Sequence, residues 1–220
     1  MRLFLDTANV EEVRQASPLG VISGVTTNPS LAAKEGIGDL GSYKAAVLEI
    51  LQLVDGPVSV EVTRLDAKGM VEQALEIVRW HPNIVVKLPS TMEGFEAMAV
   101  VVREGIKVNQ TLCFSVNQAL LGGIIGATYV SPFVGRLDDE GHDGMAVVAD
   151  IVEVFKRYNM STQVLAASIR HPLHVVAAAK AGAHAATIPL KVLTQMAHHP
   201  LTDVGVARFA QDWERAKIKV

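Results

Sequence analysis

Ile84-Val85-Val86-Lys87-Leu88-Pro89 is the stretch that decides the fold. Apolar side chains fill both parities of this run, so it reads as a strand buried on both faces. A parallel sheet covered by helices is the architecture that buries a strand in this way. Comparable runs recur at Arg2–Asp6, Val25–Thr27, Val58–Val62, Lys107–Cys113, Tyr129–Val134, Gln163–Ser168 and His184–Pro189. Between them lie segments of helical spacing: Asn9–Ala16, Ser42–Leu53, Asp66–Trp80, Glu93–Glu104, Ser115–Ile125, Asp143–Tyr158 and Pro172–Ala181. Asn9 followed by Glu12 has the form of a capping box, and Gly105, Gly126 and Gly182 stand where a left-handed C-cap favours glycine. The alternation of eight strand–helix units predicts an α/β fold, a single (β/α)8 TIM barrel over residues 1–220. That is somewhat shorter than the ~250 residues typical of the architecture. A flavodoxin-like or Rossmann layer would use fewer strands and ranks second. Past the eighth unit, residues 202–217 read as an extra C-terminal amphipathic helix with Val206, Phe209 and Trp213 on one side. Such a helix is expected to pack on the barrel or on a neighbouring subunit.

Composition narrows the function classes. Twenty Lys and Arg against 23 Asp and Glu give a net charge of −3, without the basic stripe that nucleic acid requires or a polybasic membrane surface. Aromatic residues are 5% of the chain, too few for base-stacking platforms. No apolar run approaches the roughly 18 residues of a membrane span. The opening Met1-Arg2-Leu3-Phe4-Leu5-Asp6 reaches a carboxylate after three apolar residues, so no secretory leader is expected and the expected location is the cytoplasm. Cys113 is the single cysteine, which excludes an internal disulfide framework and a cysteine-based zinc cluster.

In a barrel of this kind the chemistry sits at the carboxyl ends of the strands. Asp6, Thr26, Thr27, Asn28, Glu61, Lys87, Asn109, Thr111, Ser131, Phe133, Arg136, Ser168 and Arg170 fall at or just beyond those ends. Lys87 is the most telling, because lysine is almost never buried in a strand without a partner or a task. A neutral lysine amine attacks a carbonyl to give a Schiff base. The alternative is a structural ion pair with Glu61 or Asp6. These two carboxylates should face one cavity, where different surroundings would separate their acid–base roles. Arg136, Ser168 and Arg170 form a second cluster, with planar guanidinium donors and a hydroxyl suited to a phosphate group.

Other signals are weaker. Gly36-Ile37-Gly38-Asp39-Leu40-Gly41 matches GxGxxG but follows a helical segment rather than a strand, so it reads as a helix–helix loop. His171 and His174 lack a third ligand in sequence and read as surface or capping histidines, as do His198 and His199. No metal site is expected. Asn109-Gln110-Thr111 matches a glycosylation sequon but falls in a buried strand, Cys113 reads as core, and Asp138-Asp139-Glu140 reads as a solvated loop.

Taken together, Asp6, Thr26-Thr27-Asn28-Pro29-Ser30, Val85-Val86-Lys87-Leu88-Pro89, Asn109 to Ser115, Ser131 to Asp139 and Ala166-Ala167-Ser168-Ile169-Arg170 closely resemble the transaldolase family. More narrowly, the chain resembles the family's small-subunit branch, which also holds the fructose-6-phosphate aldolases. The resemblance covers essentially all of the chain, with the motifs in the same order. It implies a lysine Schiff base at Lys87, a proton-handling carboxylate at Asp6, and a water held by Glu61 and Thr111. It further implies contacts to a dihydroxyacetone unit from Asn28, Asn109 and Ser131, in a site that includes Thr27 and Phe133. Phosphate contacts are implied at Arg136, Ser168 and Arg170. The implied reaction moves dihydroxyacetone from fructose 6-phosphate or sedoheptulose 7-phosphate to erythrose 4-phosphate or glyceraldehyde 3-phosphate, in the non-oxidative pentose phosphate pathway. It needs no metal or organic cofactor. The aldolase branch has Tyr, Gln and Lys where this chain has Phe133, Glu61 and Arg170, which favours transfer over release of free dihydroxyacetone. A non-catalytic sugar-phosphate-binding barrel is the alternative from another class. The resemblance also implies a homo-oligomer, a decamer of two pentamers.

Overall fold

The computed structural model describes residues 1–217. Eight parallel strands close into a barrel in sequence order: β1 (Arg2–Asp6), β2 (Ile22–Thr26), β3 (Val58–Glu61), β4 (Ile84–Pro89), β5 (Val108–Cys113), β6 (Tyr129–Pro132), β7 (Gln163–Ala166) and β8 (Ala185–Ile188). Helices α1 (Val10–Ala16), α2 (Pro29–Lys34), α3 (Leu40–Leu53), α4 (Ala67–Ile77), α5 (Met92–Arg103) and α6 (Val116–Ile125) follow the first five strands. They are succeeded by α7 (Val134–Asp139), α8 (Gly144–Arg157), α9 (Pro172–Ala181), α10 (Leu190–Ala197) and the terminal α11 (Pro200–Lys217). The expected (β/α)8 barrel with a C-terminal helix is what the chain forms.

Period-two alternation divides each strand between two environments. Outward residues such as Leu5, Val25, Val60, Val86, Leu88, Val130 and Ile188 join the core that the strands share with the helices. Inward residues split by height. At the amino-terminal end Phe4, Val85, Tyr129, Leu165 and Ala185 form a separate apolar cluster, with Phe4 and Tyr129 edge to face at 6.0 Å. Arg2 closes this end by bonding the Tyr129 hydroxyl and Gln163. One or two rungs higher the buried residues turn polar: Thr26, Ser59, Lys87, Asn109, Ser131 and Thr187. An apolar floor thus supports a polar upper chamber.

Strand β2 begins three residues earlier than expected, because Ser23 and Gly24 hide it in the sequence. Gly24 faces Phe4, where a Cβ would lie 3.0 Å from the ring. Short helices α7 and α10 also lie outside the expected set, while α2 is the helical segment expected before Gly36. Gly36–Gly41 joins α2 to α3, with Asp39 capping α3 through the amides of Gly41 and Ser42. This is the helix–helix loop expected for the GxGxxG match. Asp138 and Asp139 end α7 and are engaged by His174 and Arg170, so this stretch is exposed as expected but helical rather than a loop as far as Asp139. No helix among the described residues is long and apolar enough to cross a membrane.

Gly94 sits in the first turn of α5, where a Cβ would fall inside van der Waals contact of the Pro89 carbonyl oxygen. Because the neighbour is backbone, the overlap has no cheap relief. Gly94→Ala is expected to destabilise the fold by about 1–3 kcal/mol, lowering Tm by roughly 3–10 °C. Differential scanning calorimetry checks this, and an unchanged Tm would show that α5 is free to shift.

Candidate active site

Lys87 sits in the middle of the chamber at 3% exposure. Its Nζ lies 2.9 Å from Glu61 Oε2 on the adjacent strand and donates to the Thr27 carbonyl oxygen at 2.9 Å. Parallel pairing explains the first contact, since Glu61 on β3 stands level with Lys87 on β4. Two of the three ammonium donors are thereby committed, leaving the third direction for the cavity.

Asp6, at the end of β1, borders the same cavity. Burial pushes its carboxyl above the ordinary range, against the lowering effects of Lys87 and of the Thr26 hydroxyl, which donates at 2.7 Å. Thr26 also meets Thr187 Oγ1 at 2.6 Å; with the Thr26 hydrogen committed to Asp6, Thr187 is the donor in that pair. The two carboxylates differ, as their surroundings require. Glu61 is clamped on the ammonium, while Asp6, bonded by Thr26 and raised by burial, is suited to hold a proton.

The cavity, about 80 Å³, is lined by Asp6, Asn28, Lys87, Ser131, Phe133, Arg136 and Ser168, with Thr26, Ala167 and Thr187. Asn28 caps α2 by accepting from the Leu31 amide through Oδ1, which leaves its amide NH2 for a ligand. Ser131 donates to Asn109 Oδ1 at 2.6 Å, and Asn109 donates on to Ser59 at 3.1 Å. Phe133 stacks edge to face on Phe114 at 5.6 Å, and the Arg136 guanidinium lies 5.1 Å above its ring. Ser168 is held in the left-handed region at φ 57°, a conformation that turns the chain sharply after β7.

Several expected site residues sit behind the cavity rather than on it. Thr27 is fully buried and bonds Ser59 and Tyr43, so it supports Lys87 and is not a wall of the cavity. Asn109 is likewise fully buried, acting through Ser131. The Thr111 hydroxyl is buried without a protein partner, a group of the kind that bonds ordered water. Arg170 departs furthest from expectation. It is half-exposed, pairs with Asp139 at 2.6 Å, and lines an open groove beside the cavity together with Arg136. The structure brings Arg136 and Ser168 to the cavity and leaves Arg170 outside it.

His174 is not a surface residue. Its Nε2 faces Asp138 at 3.1 Å, its Nδ1 accepts from the Arg170 amide, and its ring lies 3.8 Å from that of His171. Burial and then the neighbouring His171 hold its pKa below the ordinary value. Cys113 is core, and burial pushes its thiol up to about 12. Thr26, Ser59, Thr187 and Tyr43 complete the polar set. The first three are hydroxyls at inward positions of apolar strands, a signal readable in the sequence. Tyr43, on a helix, gives no such signal.

Fold and site together define a (β/α)8 barrel built around a buried lysine with two unlike carboxylates and an arginine at its mouth. The family model described as "Transaldolase/Fructose-6-phosphate aldolase" matches residues 3–220, and the chain belongs to that family. The chain is 59% identical over 215 residues to the "Probable transaldolase" of Dehalococcoides mccartyi (strain ATCC BAA-2266 / KCTC 15142 / 195), covering 97% of this chain and 98% of that one. It is 56% identical to the protein of the same name in Thermoanaerobacter sp. (strain X514), over the whole of both chains. Among solved structures, a phosphonomutase candidate from Burkholderia cenocepacia J2315 matches with TM-score 0.61 at 14% identity, covering 96% of this chain and 93% of that one. That likeness concerns the barrel alone.

Because the Asp6 carboxyl is raised above its unfolded value of 3.8, its ionised form costs the folded state stability. The cost is absent below pH 3.8, grows as pH rises toward the folded value, and is complete above it. Asp6→Asn is therefore expected to raise Tm at pH 7 and to lose that advantage at about pH 3.5. Thermal melts at the two pH values check this. A lower Tm for the variant at pH 7 would show that Lys87 outweighs burial at Asp6.

Proposed function

We propose that the protein is a transaldolase working through an imine on Lys87. The observation that carries this reading is a fully enclosed lysine whose Nζ is oriented by Glu61 and the Thr27 carbonyl beside the desolvated carboxyl of Asp6. Lys87 first gives up the proton that faces the cavity, its neutral amine attacks the ketone carbon of a ketose phosphate, and the carbinolamine, protonated on its hydroxyl, loses water to give an iminium. Glu61 and the Thr111 hydroxyl handle that water. Asp6 takes the proton from the hydroxyl on the far carbon of the bond to be cut. As that hydroxyl becomes an aldehyde, the carbon–carbon bond breaks and its electron pair moves toward the iminium nitrogen, leaving an enamine. The aldose phosphate departs, and an acceptor aldose phosphate reacts in reverse order. Hydrolysis of the new imine frees the product and Lys87.

The residues divide the substrate between them. Asn28, with its NH2 uncommitted, and Ser131, tied to Asn109, suit the hydroxyls of the three-carbon unit. Arg136 and Ser168 suit the phosphate, with Arg170 as an outer guanidinium on the adjoining groove. Transfer, rather than release of free dihydroxyacetone, is favoured by Phe133 and Ala167 on the cavity wall, since neither side chain can give the enamine a proton. Sugar phosphates are charged intracellular metabolites, which supports a cytoplasmic location.

We also propose a homo-oligomer, in line with the decamer of pentamers that the family resemblance implies, with α11 packed on a neighbouring copy. Along this helix Leu201, Val204, Phe209 and Trp213 are exposed, Phe209 at 73%. A helix that buries none of its apolar face in its own chain lacks the packing that normally stabilises it.

Two experiments test these readings. Borohydride added with fructose 6-phosphate is expected to trap a three-carbon adduct on Lys87, and glyceraldehyde 3-phosphate release is expected to depend on added erythrose 4-phosphate. An absent adduct would overturn the imine, and equally fast release without acceptor would make the protein an aldolase. Removing residues 202–220 is expected to reduce the mass measured by light scattering. An unchanged assembly would remove α11 from the interface.

A further inference from the structure

Tyr43 belongs to α3, in the helix layer outside the barrel wall, yet it is buried to 5% exposure and its phenol hydroxyl meets Thr27 Oγ1. Thr27 Oγ1 also donates to the Ser59 carbonyl oxygen at 2.9 Å. A hydroxyl has one hydrogen, so with that hydrogen committed to Ser59 the phenol is the donor to Thr27. The Glu61 main chain runs beside the phenol. Burial drives the phenol up to about 12, so it keeps its proton, and its donor role, throughout the neutral range.

The local strand pairing gives this contact its importance. β2 pairs with β3 at Val25↔Val58 and Thr26↔Ser59, and the Thr27 amide donates to Ser59 at 2.9 Å. The next ladder position would use the Thr27 carbonyl, but that oxygen is taken by Lys87 Nζ. Through Thr27 Oγ1 and the Ser59 carbonyl, Tyr43 therefore braces the segment that carries the Thr27 carbonyl against β3, the strand that carries the Glu61 carboxylate.

We infer that Tyr43 is a positioning residue for this reaction, its phenol hydroxyl acting through Thr27 to fix the direction of Lys87 Nζ for attack on the ketone. The inference rests on Lys87 as the imine-forming amine. Tyr43 touches no substrate, and its effect falls on the rate of imine formation rather than on substrate affinity.

The experiment measures single-turnover borohydride trapping of fructose 6-phosphate on Lys87, together with kcat, KM and Tm. The proteins compared are the parent, Tyr43→Phe, Thr27→Val and the double variant. Tyr43→Phe keeps the ring and removes only the hydroxyl. Trapping and kcat are expected to fall about tenfold, since small misplacements of a reacting group cost one to two orders of magnitude. KM is expected to stay within about twofold, because Asn28, Arg136 and Ser168 are untouched. The double variant removes both hydroxyls of the Tyr43–Thr27 pair, so it should recover Tm relative to the weaker single variant while its trapping stays slow. That separation distinguishes positioning from simple satisfaction of a buried group, and it holds even where Tyr43→Phe alone fails to fold. Parental trapping rates in Tyr43→Phe, or rates that recover with Tm in the double variant, would overturn the positioning role and leave the imine reading intact. An absent adduct in the parent would overturn both.

Discussion

The ammonium of Lys87, held out of water between Glu61 and the Thr27 carbonyl, is the constraint to which the rest of the chamber answers. A lone buried charge is untenable, and removing one partner of a buried pair costs about 3–5 kcal/mol. The barrel meets this with geometry already present in its ladder, since the register that pairs β3 with β4 places Glu61 level with Lys87. The second carboxylate sits on β1, bonded by Thr26 rather than by the lysine. One acid thus neutralises the amine while the other is left dry enough to exchange a proton. A single amine with two equally shared carboxylates would blur those roles.

Such a chamber needs a floor. Phe4, Val85, Tyr129 and Leu165 fill the lower interior, and Arg2 covers it from below. Water is thereby kept from approaching Lys87 from the amino-terminal end, so charges above that floor act in a medium of low polarity where their mutual effects are large. The inward side chains consequently change character within two residues along a strand: Phe4 to Asp6, Val85 to Lys87, Tyr129 to Ser131. Each strand serves stability at one end and chemistry at the other, as the architecture permits.

This same switch is why so much was legible in the sequence. A polar residue interrupting a doubly apolar strand has few reasons to be there, and Asp6, Lys87 and Ser131 stand out on that ground. The eight-unit alternation gave the barrel for a similar reason. What escaped reading lacks a local signal. Tyr43 lies on a helix, where an aromatic residue is ordinary, and only the tertiary approach of α3 to β2 reveals its hydroxyl contact. Thr27 and Asn109 stand at strand ends like the cavity residues, yet they work from behind through Lys87 and Ser131. Spacing groups Arg170 with Arg136, and no local signal marks Asp139 as its partner.

The surroundings of Arg136 show how the backbone can build a site that side-chain spacing describes only roughly. The first amides of α7, on Val134 and Gly135, donate to the carbonyls of Ala167 and Ser168, so α7 continues the pairing of β6 with β7 past the strand ends. Gly135 is required there, because a Cβ would collide with the Ser168 carbonyl and with the Arg170 side chain. That close approach fixes Ser168 in its left-handed turn, while His174 and Arg170, bonded to Asp138 and Asp139, hold the far end of α7 against the same loop. Arg136 projects from the middle of this clamped helix and, among the described residues, forms no ion pair of its own. Its charge is therefore the one left to meet an anion, and the neighbouring arginine contributes by keeping in place the helix that carries it.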